Sequence, residues 1–260
     1  MKLQGAVCIV TGAGTGAGAA CAIQLARKGA RVVVNYSRSE KEAKQAVAAC
    51  ELAGGQAILH QADVASDAGC RGLAQAALDR WGRIDALINN AGITKFAAAT
   101  DLEALSAEDF QRLYAVNTIG PYQMIRACAP AMKKQGAGAV VNISSISGVM
   151  GIGSSTAYVA SKGALNAMTL ALARALAPEI RVNALCPGMI ETRWHKERFD
   201  ADGYAKFKQE YEKSVPLGKA ASPDDIAEAA LWLLEGAELI TGECILLDSG
   251  LHLGFGARKR

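Results

Sequence analysis

Short apolar runs recur along the chain at 6–10, 31–35, 56–60, 84–88, 138–144, 181–186 and 243–247. Each is too short for a helix and carries apolar side chains on both alternating faces, the pattern of a strand covered on both sides. Between the runs, apolar positions recur every three to four residues. One helix is predicted through Ala19, Ala20, Ile23, Leu25 and Ala26 to Gly29, and a second from a cap at Ser39 to about Ala53, where Gly54 and Gly55 stop it. A third is predicted from a cap at Asp67 to Trp81. A fourth begins near Ala107, carries Phe110, Leu113, Tyr114, Val116 and Asn117, and continues past a kink at Pro121 to about Lys134. Two more are predicted at 158–176 and 223–235. Strand and helix alternate throughout, which predicts the α/β class: a doubly wound parallel sheet of about seven strands, helices on both faces, in a single domain spanning 1–254. A charged, aromatic-studded insertion at about 193–215 interrupts the alternation as a cover for a substrate, and 255–260 is a short basic tail.

In such a sheet ligands sit at the carboxyl ends of the strands. The polar residues of this chain gather there: Thr11 to Gly18 after the first strand, Asn35 to Arg38 after the second, Asp63 and Val64 after the third, Asn89 to Gly92 after the fourth, Ser144 and Ser145 after the fifth, and Pro187 to Thr192 after the sixth. The glycines between the first strand and its helix admit a diphosphate against the helix N-terminus, where free N–H groups and the dipole favour it and Cβ atoms would hold it off. Tyr158 and Lys162, four apart, share one helix face. A free tyrosine titrates near 10, and a close cation lowers that by roughly 1 to 3 pH units, within reach of proton exchange with an alcohol or ketone. Ser145, at the end of its strand, can hold the same substrate oxygen.

Composition narrows the picture. The 260 residues are half apolar, enough for one large core. The formal charge of +3 is matched by Arg258, Lys259 and Arg260 alone, so the body is neutral and no nucleic-acid partner is expected. Seven cysteines, odd in number and without a close CxxC pair, read as buried hydrophobes in a reducing compartment, with neither a disulfide framework nor a metal site. No apolar run is long enough to span a bilayer and no signal segment opens the chain, so no membrane partner is expected and the cytoplasm is the expected location.

The assembled motifs resemble the short-chain dehydrogenase/reductase family over residues 5 to about 254. The family's TGxxxGxG motif is similar to Thr11, Gly12, Gly16 and Gly18, its NNAG to Asn89, Asn90, Ala91 and Gly92, and its acidic residue near the adenine to Asp63 beside Val64. Its Asn, Ser, Tyr and Lys tetrad falls on Asn117, Ser145, Tyr158 and Lys162, with Ser145 preferred to Ser144 because it lies thirteen residues before the tyrosine. The resemblance implies that Tyr158 is the general acid in reduction and the base in oxidation. Lys162 would hold the nicotinamide ribose and lower the tyrosine pKa, Ser145 would polarise the carbonyl, and Asn117 would hold a water that links Lys162 to solvent. It further implies a cofactor cradle from Gly12, Thr15, Gly16, Ala17 and Gly18, from Asn90, Ala91 and Gly92, and from Pro187, Gly188, Ile190 and Thr192 beside the nicotinamide. Three departures stand out: Ala17 where Ile or Leu is usual, Thr15 where many NADP-preferring members carry a base, and Leu247-Asp248-Ser249-Gly250 where the family often reads DGG.

The end of the second strand carries Tyr36, Ser37 and Arg38 instead of a carboxylate that would repel a 2'-phosphate. Arg38 with its flanking hydroxyls favours NADP(H), with NAD(H) the alternative. The pocket wall is expected from Ile93, Thr94, Lys95 and Phe96, from 146–152, and from Met189, Trp194, Phe199, Tyr204, Phe207 and Tyr211. That lining is mainly apolar, with Lys95 and His195 as candidates for an anionic tail. The expected reaction is NADPH-dependent reduction of a ketone or 3-oxoacyl carbonyl. Oxidation of a secondary alcohol, steroid or sugar is the alternative, and a non-catalytic nucleotide sensor a remote one. Small residues along the helix at 160, 164, 167, 171 and 175, with apolar Ile245, Leu246 and Leu247 in the last strand, predict a homo-oligomer, most readily a tetramer.

Overall fold

Along the first strand, β1 (Val7–Val10), successive side chains go to opposite faces: Val7 and Ile9 enter one apolar cluster, Cys8 and Val10 the other. The same division holds across a seven-stranded, wholly parallel sheet, seen in a computed structural model that describes residues 1–254. The predicted basic tail at 255–260 lies outside the described residues. The strands β2 (Arg31–Tyr36), β3 (Gln56–Gln61), β4 (Ala86–Asn89), β5 (Gly138–Ile143), β6 (Ile180–Pro187) and β7 (Cys244–Leu247) stand in the order β3-β2-β1-β4-β5-β6-β7. Val10 is level with Val34 on one side and Ile88 on the other, so the turns after these strands open on one edge at the point where the winding reverses.

The helices are α1 (Gly16–Arg27), α2 (Glu40–Leu52), α3 (Asp67–Trp81), α4 (Ala107–Tyr114), α5 (Gly120–Gln135), α6 (Ser147–Met150), α7 (Thr156–Leu176), α8 (Arg193–Lys196), α9 (Ala201–Ser214) and α10 (Pro223–Glu235). One face of the sheet is covered by α1, α2 and α10 through Cys21, Leu25, Ala43 and Leu231. The other is covered by α3, α5 and α7 through Leu73, Met124, Met132 and Ala173. The chain is a single Rossmann-fold domain. All seven cysteines are free thiols, and burial pushes those of Cys50 and Cys70 up to about 11. Among the described residues no helix is long and apolar enough to cross a membrane.

Three local expectations are corrected. The cap of α3 is Ser66, whose hydroxyl accepts from Gly69 N at 3.3 Å; Asp67 instead pairs with Arg71 and Arg126. Ser39 holds the cap position of α2 but makes no capping bond, because its hydroxyl accepts from Arg193 Nη2 at 3.0 Å. The break expected at Pro121 lies just before it, as a turn of π-helix at Ala115–Ile119 in which Gly120 N donates to the Ala115 carbonyl. Pro121 has no N–H to return to the Asn117 carbonyl four residues earlier, and the helix widens there.

Candidate active site

The glycine-rich turn is held open from below. Asn35, buried in β2, accepts from Gly12 N at 3.1 Å through Oδ1, and its Nδ2 donates to the carbonyls of Tyr36, His60 and Ala62 at 3.1–3.3 Å. From the other side the Thr11 hydroxyl accepts from the amides of Asn90 and Ala91, both at 3.0 Å, while Asn90 Nδ2 donates to the carbonyls of Thr11 and Gly12. Gly12 adopts φ 60°, and a Cβ there would stand 2.9 Å from Ala91 Cα. At Gly18 a Cβ would overlap Asn90 Nδ2 and the Gly12 carbonyl. The glycines are therefore required by close packing of two turns as well as by room for a ligand. Thr15 precedes α1 in extended conformation without a side-chain cap, Gly16 and Ala17 open the helix, and its first turn holds no acid. Uncapped amides beside bare glycines suit a diphosphate, and the residues fit the dinucleotide that the sequence implies.

At the outer end of this edge lies a cleft of about 410 Å³ lined by Ser37, Arg38, Gln61, Ala62, Asp63 and Arg112. Tyr36, expected here, is 7 % exposed and packs into the apolar cluster under α2, so it does not line the cleft. Asp63 accepts from Ala65 N at 3.0 Å and pairs with Arg112 at 3.6 Å. Val64 is buried, and its carbonyl takes a bond from Gln123.

The catalytic candidates meet further along the edge. Ser155 caps α7 by accepting from Tyr158 N at 3.2 Å, which fixes Tyr158 in the first turn. Ser144 is turned away, donating to the Lys162 carbonyl at 3.3 Å, whereas the Ser145 hydroxyl lies beside the Tyr158 phenol. Ser145 also donates to Ser147 Oγ at 3.0 Å and accepts from its amide. Lys162 is 4 % exposed; its Nζ donates to the Ile143 carbonyl at 2.8 Å and lies 5.8 Å from the Tyr158 ring centre.

The expected depression of the tyrosine by this ammonium is overturned among the protein's own groups. Burial pushes Tyr158 up to about 12, offset in part by the Ser145 hydroxyl. Burial likewise brings Lys162 down to about 8. One N–H of Nζ donates to the Ile143 carbonyl, and burial sets the direction of both shifts.

Asn117 is fully buried in the π-turn. Its Oδ1 accepts from Ile93 N, while Nδ2 donates to the Ile93 carbonyl and to Ser161 Oγ at 2.9 and 3.0 Å. Ser161 in turn donates to the Tyr158 carbonyl at 2.8 Å, so Asn117 ties the turn after β4 to the helix that carries Tyr158 and Lys162. Gly92 lies at this junction, where a Cβ would stand 3.5 Å from Asn117 Oδ1 and 3.8 Å from Lys162 Nζ.

The loop after β6 closes the site. The Pro187 carbonyl accepts from Ile146 N, Gly188 N donates to the Leu247 carbonyl, and Ile190 bridges to Ala221. The Tyr211 hydroxyl is buried against this loop and accepts from Met189 N at 3.1 Å. Trp194 sets its ring edge-on to Tyr158 at 6.0 Å, His195 and Phe199 pack on Phe207, and Arg198 lies 3.9 Å over Phe96. Neither charged candidate in the wall is a free cation: Lys95 pairs with Asp109 at 2.6 Å, and burial lowers the His195 pKa. At the departure in the last strand, Ser249 adopts φ 56° and donates to the Lys219 carbonyl at 2.6 Å.

Arg112, Ser155, Ser161 and Arg193 escaped the sequence, and Asn35, placed there at the ligand edge, was not expected to support Gly12. Ser155 alone carried a signal, as a serine three residues before Tyr158 at a helix start.

A parallel sheet with a glycine turn at its switch point, and Ser, Tyr and Lys converging on the same edge, define an NAD(P)-dependent oxidoreductase. Residues 12–252 match the family described as enoyl-(acyl carrier protein) reductase, and the chain belongs to this short-chain dehydrogenase/reductase family. It is 31 % identical to a short-chain type dehydrogenase/reductase from Mycobacterium marinum, whose crystal structure superposes with a TM-score of 0.88 over 97 % of this chain and 98 % of that one. It is 35 % identical to the L-rhamnose 1-dehydrogenase (NAD(P)(+)) of Sphingomonas sp., over 96 % of this chain and 98 % of the relative. Identity and coverage are the same with the 3-oxoacyl-[acyl-carrier-protein] reductase of Synechocystis sp..

Proposed function

We propose that this enzyme reduces a ketone or 3-oxoacyl-type carbonyl to a secondary alcohol with NADPH. The observation that carries the proposal is a half-buried tyrosine, Tyr158, with the Ser145 hydroxyl beside it, the Lys162 ammonium near its ring and Trp194 packed edge-on against it. Bound at the glycine turn and along the edge from Asn90 to Gly92 and Thr192, the nicotinamide cofactor supplies the hydride. Ser145 turns its hydroxyl proton from Ser147 to the carbonyl oxygen and orients it. Tyr158 gives that oxygen a proton as charge develops there. With its pKa pushed up to about 12, the phenol is protonated at neutral pH, the state in which it can give a proton to a carbonyl oxygen.

Lys162 holds the cofactor ribose hydroxyls and supports the phenolate after transfer. The side chain of Asn117 is fully engaged, so a water linking Lys162 to solvent rests on the main-chain carbonyl that Pro121 leaves without an N–H. The segment at 193–215 covers the substrate with Trp194, Phe199 and Phe207. A mainly apolar wall, its lysine and histidine engaged or neutral, suits an extended or ring-bearing ketone better than an anionic one. The relationship to a rhamnose dehydrogenase keeps oxidation of a secondary alcohol as a second activity.

NADPH is preferred because Arg38 and Ser37 line the outer cleft, where the end of β2 offers no carboxylate. The enzyme is a homo-oligomer, a tetramer, built on the outward face of α7. Ala167, Leu170, Ala171 and Ala175 are exposed there, and Ile119 and Tyr122 are exposed about the start of α5. Ala160 and Ala164 are half-buried and contribute less. The test of function is consumption of NADPH against a panel of cyclic, acyl-thioester and sugar ketones. Turnover of apolar ketones supports the proposal, and turnover confined to oxidation of sugars overturns it.

A further inference from the structure

Three consecutive residues after β6 each reach a different part of the site. Thr192 Cγ2 lies 3.1 Å from where a Cβ on Gly16 would stand, against the glycine turn. Arg193 donates from Nη2 to Ser39 Oγ at 3.0 Å, across 154 positions of sequence, and so reaches the start of α2. Trp194 rests edge-on against Tyr158. One short segment thus touches the turn suited to a diphosphate, the end of the site beyond β2, and the phenol.

The middle contact is the unexplained one. Ser39 occupies the cap position of α2, yet its hydroxyl caps nothing and serves only Arg193. Among the described residues Arg71, Arg83, Arg112 and Arg126 each pair with an aspartate, and no carboxylate pairs with Arg193 or with Arg38. Arg193 thus brings a guanidinium without an acidic partner to Ser39, the neighbour in sequence of Arg38, which with Ser37 lines the outer cleft. A neutral hydroxyl is a weak acceptor for a guanidinium, and a phosphate dianion two bonds from a ribose ring is a strong and bidentate one.

We propose that Arg193 is a second reader of the cofactor's 2'-phosphate, and that by binding it Arg193 seats the 192–194 segment and with it Trp194 on Tyr158. The inference rests on the NADPH preference proposed above. It adds that the phosphate couples cofactor identity to closure of the substrate pocket. NADH, lacking the phosphate, fills the rest of the cradle but leaves Arg193 on Ser39 alone.

The test measures dissociation constants of NADPH and NADH by calorimetry for the wild type, Arg38→Ala and Arg193→Ala at one ionic strength. It also follows trypsin cleavage at Lys196, Arg198, Lys206 and Lys208 with each cofactor saturating. Because Arg193 is exposed, its loss leaves the fold intact. Arg193→Ala is expected to reduce the NADPH-to-NADH affinity ratio by about tenfold, as for one charge-assisted bond near the surface. It should also abolish the extra protection that NADPH gives the segment in the wild type. An unchanged ratio, equal weakening of both cofactors, or equal protection by both in the wild type overturns the role of Arg193. If Arg38→Ala removes the preference while Arg193→Ala does not, the NADPH proposal stands and this inference falls. If the wild type shows no preference for NADPH, both fall.

Discussion

Replacing Lys162 by Met separates what this side chain does for chemistry from what it does to the fold. Burial takes its pKa from 10.5 to about 8, so the folded protein holds the proton less tightly than the unfolded chain. At pH 7 the charged group therefore opposes folding, by roughly 3 kcal/mol at 1.36 kcal/mol per pH unit. Between the two values the unfolded chain binds the extra proton, so wild-type stability rises with pH, and about 2 kcal/mol of that penalty is relieved by pH 9.5. Met fills nearly the same volume without the charge, but it leaves the Ile143 carbonyl without its donor, which costs about 1–3 kcal/mol. The variant is thus expected to be as stable as the wild type at pH 7 or up to about 2 kcal/mol more so, while turnover is lost. Its advantage should fall by about 2 kcal/mol at pH 9.5. The assay is urea unfolding of both proteins at the two pH values and one protein concentration, since subunit association also contributes to stability. A variant destabilised by several kcal/mol at pH 7, or a difference between the proteins that does not move with pH, would refute the reasoning.

Arg38→Ala should weaken NADPH by roughly tenfold and leave NADH nearly unchanged, as read from the two dissociation constants at fixed salt. Asn35→Ala removes the acceptor of Gly12 N and the donor to three carbonyls; it should destabilise the protein by about 2 kcal/mol or more and weaken both cofactors alike, measured by denaturation and by titration. Sedimentation at micromolar concentration should show a tetramer of the 27.1 kDa chain, and Leu170→Glu on the exposed face of α7 should shift it towards smaller species; a wild-type monomer would reject the assembly.

The sheet was legible because its signal is local. Strands such as β1, apolar at every position, need no partner to be recognised, and Pro223 after Ser222 marks the start of α10 within the chain itself. The residues grouped by family resemblance sit along one sheet edge, but Tyr36 does not serve the cleft, since a tyrosine at a strand end packs wherever apolar surface is available. The Ser66 cap was misassigned by one residue because Ser66 and Asp67 are both good caps and only backbone direction separates them. Contacts that define the site's support, Asn35 under Gly12, Asn117 through Ser161 to Tyr158, and Arg193 on Ser39, join residues far apart in sequence. Nothing in one strand or helix announces them. The tyrosine's pKa was missed for a related reason: spacing on a helix gives proximity to Lys162, but burial, which sets the direction, belongs to the whole fold.

The most direct test is a single-turnover measurement of hydride transfer in Tyr158→Phe, with NADPH saturating and a ketone that the wild type reduces. Removing the hydroxyl takes away the proton donor and little binding surface. The transfer rate should therefore fall by roughly 10²-fold or more while the NADPH dissociation constant stays within about threefold of wild type. Transfer within about tenfold of the wild-type rate would contradict the assignment of Tyr158 as the acid and, with it, the proposed mechanism.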